Sequence, residues 1–220
     1  MKMGGCVTVS TLKEFIKSLA GARAPGPNTT FTVFHIFYAL ELTSEKTIGR
    51  NKLAEKLNVG EGAIRTIINR LVEAGLLTTS KAGCELSAKG MQIWKEFEEA
   101  FPVRVEVPKT ELANSDFNYA FLVKNSGHKV KSGIDQRDAA IVAGARRAIV
   151  IVYKNGSLSI ESVSENIEKN FPKAASQILK FFKPEDNDVI VIAGADALLK
   201  AMRGAFAAGW SLLEGEKKMS

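Results

Sequence analysis

Cysteine and histidine are scarce in this chain of 220 residues, which contains two of each. The cysteines, Cys6 and Cys84, are far apart in sequence, and no C-x-x-C pair occurs. Zinc sites and disulfide frameworks need closely spaced sets of such residues, so the sequence excludes both classes. We expect two reduced thiols, no metal site and no cofactor.

Long apolar runs are also missing. A membrane-spanning helix needs roughly 18 consecutive apolar residues, and the most apolar stretches, residues 31–42 and 189–195, are shorter. The first six residues lack the apolar core of a secretory signal. We therefore expect a cytoplasmic protein with no membrane partner.

Catalytic motifs are equally absent. The chain has no phosphate-binding loop of the form G-x-x-x-x-G-K-[ST], no G-x-G-x-x-G, and no nucleophile and base at a recognisable spacing. We expect a protein that is not an enzyme. Asp135 and Asp138 could act as a pair of carboxylates, which leaves a small-molecule enzyme as a remaining alternative.

The charge balance is basic but evenly spread. The formal net charge is +6, and residues 1–100 and 101–220 each carry an excess of three positive charges. A basic excess is compatible with an anionic partner. Because neither half is enriched, charge alone does not locate a nucleic-acid site.

The length suits two domains of about 100 residues each. Pro102 and Pro108 lie where the pattern of apolar residues changes. We therefore divide the chain into residues 1–100 and residues 101–220.

The first half shows helical spacing followed by a short hairpin. Helices are predicted over residues 10–19, 32–43, 50–57, 61–74 and 87–99. The tight turn Asn58-Val59-Gly60 separates the third and fourth of them. Residues 76–79 and 84–86 read as two strands around a wing tip at Lys81. This order is that of a winged helix-turn-helix, mostly α with a small β wing, preceded by a helical extension.

The helix over residues 61–74 is expected to enter the major groove of DNA. Ile64, Ile67, Ile68 and Leu71 recur at the i, i+3, i+4, i+7 spacing of a buried stripe. The opposite face and its flanks then carry groups suited to bases and phosphates. Together with the start of the bracing helix and the wing tip, they give the candidate DNA-binding residues Arg50, Lys52, Gly62, Arg65, Thr66, Asn69, Arg70 and Lys81.

Residues 48–77, which read IGRNKLAEKLNVGEGAIRTIINRLVEAGLL, resemble winged-helix transcription regulators, and residues 86–90 resemble the start of their post-wing helix. The whole chain resembles a small family of archaeal two-domain proteins in which a winged helix precedes an uncharacterised domain. The residues that carry this second resemblance are 133–140, 144–145 and 188–196. It implies a two-layer α/β fold for the second half and no particular activity.

The second half alternates strand and helix patterns. Strands are predicted over residues 103–107, 119–123, 149–153, 158–160 and 189–192, and helices over 135–145, 171–182 and 196–213. Asn155-Gly156 is a strong hairpin signal. We expect an α+β protein whose second domain is a two-layer α/β sandwich with helices on one face of the sheet.

A cluster of polar residues at a predicted helix start suggests a site for a small anionic ligand. Helix N-termini attract anions, and basic side chains can hold a phosphate or carboxylate. The candidate residues are Lys131, Asp135, Gln136, Arg137, Asp138 and Asp196. The same residues could instead cap helices and form structural ion pairs, because carboxylates stabilise a first helical turn without any ligand.

The sequence therefore predicts a transcription regulator that binds double-stranded DNA as a homodimer. The second domain would sense a ligand or supply the dimer contact. The alternative is a winged helix that binds protein in a larger assembly, because Glu61 and Glu73 lie near the predicted DNA-reading face.

Overall fold

The chain folds as two units, residues 1–97 and 98–220. The computed structural model describes residues 9–22, 30–161 and 163–213. Its mixed helix and strand content confirms the α+β class. Within the described residues, no helix is both long enough and apolar enough to cross a bilayer.

The first unit is built from helices and one hairpin. In chain order these are α1 (Val9–Ala20), α2 (Val33–Glu45), α3 (Arg50–Leu57), α4 (Glu61–Glu73), β1 (Leu77–Ser80), β2 (Gly83–Leu86) and α5 (Ala88–Ala100), whose last three residues belong to the second unit. The predicted apolar stripe of α4 is buried, with Ile64, Ile67 and Leu71 each at most 1% exposed. Asn58 ends α3 in the left-handed conformation, with φ 53°, which asparagine tolerates better than most residues.

The hairpin β1–β2 pairs Leu77 with Leu86 and Ser80 with Gly83. Ile48, which precedes α3, forms an antiparallel bridge with Cys84 on β2. Gly83 has φ 137°, and a Cβ at this position would lie 2.5 Å from the carbonyl oxygen of Ile48. Only glycine lets the wing strand approach this segment so closely, and the bridge ties the wing to the start of α3.

The second unit contains an antiparallel five-stranded sheet in the order β3-β4-β7-β5-β6. The strands are β3 (Arg104–Glu106), β4 (Phe117–Val123), β5 (Arg147–Lys154), β6 (Ser157–Ser159) and β7 (Val189–Ala195), and the helices are α6 (Ile134–Val142), α7 (Ile167–Asn170), α8 (Pro172–Phe182) and α9 (Leu198–Leu212). Asn155 and Gly156 turn the β5–β6 hairpin with φ values of 52° and 77°. Two positive φ values are those of a type I′ turn, as the Asn-Gly pair predicts.

The expectation of helices on one face of this sheet is wrong, because both faces are covered. On one face, Ile190, Ile192 and Leu122 share a core with Ile178 and Phe182 of α8. On the other face, α9 packs against β4 and β7, and α6 packs against α9 and β5. The sequence of β7 indicates this arrangement, because the strand is apolar at every position, which is typical of a strand covered on both sides. In the structure β7 is buried throughout.

Candidate nucleic-acid interface

An open groove lies between the start of α3, the exposed side of α4 and the wing. Its lining comes from three segments, and the bridge between Ile48 and Cys84 ties two of them, the start of α3 and the wing, to each other. The lining residues are Gly49, Arg50, Asn51, Lys52, Arg65, Ile68, Asn69, Thr79, Ser80, Lys81, Ala82, Gly83 and Cys84. Five of the predicted DNA-binding residues are among them, so the fold brings together residues up to 31 positions apart (Arg50 and Lys81).

The start of α3 presents two basic side chains. Arg50 and Lys52 are about half exposed, at 50% and 57%. Lys52 Nζ lies 2.9 Å from Glu55 Oε2, and this hydrogen bond and charge hold the pKa of Glu55 below its ordinary value. An ion pair between exposed side chains is weak, so Lys52 remains able to exchange its carboxylate partner for a phosphate.

The outer face of α4 is suited to close approach by another molecule. Gly62, Arg65 and Asn69 are exposed, and a Cβ at Gly62 would meet nothing within 4 Å. Thr66 is half-buried, and its hydroxyl donates to the carbonyl oxygen of Gly62 over 2.9 Å. Arginine and asparagine are the side chains that bind guanine and adenine edges through paired hydrogen bonds.

Glu61, the first residue of α4, sits between two arginines of this interface. Arg65 Nη2 donates to Glu61 Oε1 over 2.8 Å, and Arg50 Nη2 lies 4.0 Å from the same oxygen. The side chain of Glu61 is 70% exposed. The ion pair between Glu61 and Arg65 can be predicted from the sequence, because residues at i and i+4 of a helix are neighbours. The approach of Arg50 to Glu61 depends instead on the turn between α3 and α4.

The wing completes the groove. Lys81 lies at its tip, in the two-residue turn between β1 and β2, and is exposed. Cys84 behind it is 3% exposed. Burial raises the pKa of the Cys84 thiol, an effect that the charge of Arg50 opposes, so the protonated thiol packs as a small apolar group.

Arg70 is not part of this interface, contrary to the sequence prediction. It is 7% exposed, and its Nη1 donates to the carbonyl oxygens of Leu19 and Gly21 over 2.8 Å and 2.7 Å. Its guanidinium carbon lies 5.2 Å from the centre of the Phe31 ring. The prediction failed because the end of α1 and the segment after it cover this flank of α4, and helical periodicity within α4 carries no information about them.

The predicted ligand site in the second unit is not assembled as one site. Lys131 and Asp135 are exposed around the start of α6. Gln136 is wrong as a ligand residue, because it is 7% exposed and its Nε2 lies 3.4 Å from Ser211 Oγ on α9. Arg137 and Asp138 form an exposed ion pair of 3.1 Å with each other.

Asp196 lies toward the other end of α6 and does not join this cluster. Its carboxylate pairs with Arg146, which follows α6, at 3.0 Å and with Lys200 at 3.1 Å. These contacts hold the pKa of Asp196 below its ordinary value, chiefly through the hydrogen bond from Lys200. The N-cap of α9 is Ala197, so Asp196 is an ion-pair residue rather than the expected helix cap.

Sequence reasoning missed Asp188, the most buried carboxylate among the described residues of the second unit. Asp188 is 1% exposed and accepts hydrogen bonds from the backbone N–H of Asn125 and of Glu185 and from Lys124 Nζ, at 2.8–3.0 Å. Burial alone would lower the pKa of Lys124, but its hydrogen bonds to Glu185 and Asp188 raise it overall. Asp188 therefore joins the end of β4 to the start of β7, a structural role.

Two family models match different parts of the chain. Residues 33–101 match the family model of the CggR N-terminal DNA binding domain, and residues 114–212 match that of a domain of unknown function, DUF4443. No curated protein matches the chain. Among solved structures, hypothetical protein PH0730 from Pyrococcus horikoshii OT3 is similar, with a TM-score of 0.68 and 26% identity over 83% of this chain and 92% of that one. The N-terminal part of the chain is thus similar to a DNA-binding domain and the C-terminal part to a domain of unknown function, and the first match suggests a DNA-binding regulator.

Proposed function

We propose that the chain is a transcription regulator that binds double-stranded DNA sequence-specifically, with α4 in the major groove. The observation that carries the proposal is the groove itself, in which Arg50, Arg65, Asn69 and Lys81 converge from α3, α4 and the wing. The match of residues 33–101 to a DNA-binding domain supports it. A recognition helix braced by a first helix is the arrangement that the major groove admits.

The basic side chains at the rim position the protein, and those on α4 select the sequence. Arg50 and Lys52 contact phosphates at the start of α3, where the helix N-terminus also favours an anion. Lys81 contacts a phosphate from the wing. Arg65 and Asn69 contact base edges, and Gly62 lets the backbone of α4 approach the DNA.

The second unit supplies the dimer contact in this proposal. A homodimer reads two half-sites related by its two-fold axis, which doubles the length of DNA that is read. Sensing of a small anionic ligand is the less favoured role, because the predicted ligand residues around α6 and at Asp196 lie apart.

Binding of genomic DNA fragments, measured by fluorescence anisotropy over a range of salt, tests the proposal. The wild type is expected to prefer one fragment by about a thousandfold or more over random DNA. Arg65→Ala should lower affinity for that fragment by about ten- to a hundredfold and affinity for random DNA far less. The matched control is Lys56→Ala, which removes one positive charge from α3 outside the groove.

Equal and weak binding of all fragments, unchanged by Arg65→Ala, would contradict the proposal. The winged helix would then be a protein-binding module, and capture of a partner that depends on the same groove residues would identify it. Turnover of a small molecule that disappears in Asp138→Ala would instead indicate an enzyme in the second unit.

Glu61 is expected to weaken DNA binding by holding both arginines. Glu61→Gln removes the charge but keeps the size of the side chain, so affinity for random DNA should rise by about fivefold at low salt. The slope of log affinity against log salt should steepen, because Arg50 becomes free to neutralise a phosphate. Glu73→Gln, on the same helix but outside the groove, is the control. Unchanged affinity in Glu61→Gln would show that the ion pairs do not compete with DNA.

A further inference from the structure

The outward face of α6 carries exposed apolar side chains. Within the described part of the chain, three of the nine exposed large apolar side chains lie on this nine-residue helix, Ile134 at 51%, Ile141 at 41% and Val142 at 90%. The opposite face of α6, with Gln136 and Ala140, is buried, and the helix packs against α9 and β5. The fold of the unit therefore uses one face of α6 and leaves an apolar stripe on the other.

Two opposite charges lie within this stripe. Arg137 Nη2 and Asp138 Oδ1 are 3.1 Å apart, and their side chains are 56% and 59% exposed. A patch that holds adjacent positive and negative groups between apolar ends is complementary to a copy of itself rotated by 180°.

We infer that α6 is the surface through which two copies of this chain associate, as an antiparallel helix pair about a two-fold axis near Asp138. In this arrangement Ile134 of each copy faces Ile141 and Val142 of the other. Arg137 of each copy lies beside Asp138 of the other, so the charge pairs reinforce one another across the axis. The inference rests on the proposed function for the dimer and adds the surface that forms it.

Light scattering after gel filtration, over a wide concentration range, measures the association of the full chain. The wild type should be a dimer, and Val142→Lys should raise the dimer dissociation constant by about tenfold or more, since two uncompensated ammonium groups would enter the interface. Leu179→Lys is the matched control, because Leu179 is 37% exposed on α8 at the other face of the sheet. Thermal unfolding of each variant verifies that the fold is retained.

Charge reversal tests the pairing more directly. Arg137→Asp should weaken the dimer, because four carboxylate groups, two from each copy, then stand where two pairs of opposite charge stood. The double variant Arg137→Asp/Asp138→Arg restores the complementary pattern and should restore the wild-type dissociation constant.

A cysteine placed at the two-fold axis tests how the two helices are arranged, because it gains a crosslink where the other variants lose association. Asp138→Cys should form a covalent dimer on mild oxidation, since disulfides need Cα atoms within about 7 Å. Lys173→Cys on α8 and the wild type, oxidised in parallel, should not. A monomeric wild type, or a dimer that neither Val142→Lys nor Arg137→Asp weakens, overturns the inference.

The DNA measurement separates this inference from the proposed function. Val142→Lys should still bind an isolated half-site with the Arg65 dependence of the wild type, but lose the gain in affinity for a palindromic site. A dimer that crosslinks through Asp138→Cys and binds no DNA would leave the inference standing and overturn the proposed function.

Discussion

Replacing Arg70 by alanine is expected to lower the free energy of unfolding of the first unit by about 3–5 kcal/mol. The substitution removes two hydrogen bonds from a guanidinium to buried or half-buried carbonyl oxygens, those of Leu19 and Gly21. Each bond of a charged donor contributes about 1.5–3 kcal/mol. Contact with the Phe31 ring is lost as well. Urea unfolding followed by the fluorescence of Trp94, which is buried in this unit, measures the change.

Arg65→Ala is the matched control for this substitution, because it removes the same side chain from the same helix at an exposed position. We expect its free energy of unfolding to stay within about 0.5 kcal/mol of the wild type. Below its unfolding temperature, Arg70→Ala should keep the preference for one DNA fragment that Arg65→Ala loses. Equal stability of the two variants would contradict the structural role of Arg70.

Replacing Asp188 by alanine is expected to lower the free energy of unfolding of the second unit by about 3–5 kcal/mol. The substitution leaves the backbone N–H groups of Asn125 and Glu185 without their acceptor and removes the buried partner of Lys124. An unsatisfied buried donor costs about 1–3 kcal/mol. Unfolding followed by the fluorescence of Trp210, on α9, measures this unit.

The control for Asp188 is Glu185→Ala, because Glu185 pairs with the same lysine at 2.6 Å but its side chain is 79% exposed. An exposed ion pair contributes about 0–1 kcal/mol, so the control should lose little stability. If Asp188→Ala lowered the free energy of unfolding as little as Glu185→Ala does, the buried hydrogen bonds of Asp188 would not stabilise this unit.

The local pattern of apolar residues and turn residues was sufficient to predict most of the helices and strands. The stripe of Ile64, Ile67 and Leu71 defined the buried side of α4, and Asn155-Gly156 defined the β5–β6 turn, because periodicity and turn preference depend on neighbours in the chain. The exposed residues of the interface, Arg65 and Asn69, followed from the same periodicity. Their grouping with Lys81 followed from the order helix, turn, helix, hairpin.

Contacts between segments that are distant in sequence determined which polar side chains are buried, and the local sequence pattern contains no information about these contacts. Arg70 is buried by residues 49 and 51 positions away, and Gln136 faces Ser211, 75 positions away. In both cases the residues that bury the side chain belong to a segment distant in sequence from its own helix. Polarity alone therefore predicted exposure, and the prediction was wrong.

The sequence by itself determined the α+β class, the order of helices and hairpin in the first unit, and the side of α4 that faces outward, because these follow from the spacing of apolar residues and from turn chemistry. Only the tertiary structure decided that helices cover both faces of the sheet, that Arg70 and Asp188 are buried and hydrogen-bonded, and that the residues around α6 and Asp196 lie apart. The physical reason is that burial and pairing depend on which segments meet in space, and chain order does not specify this.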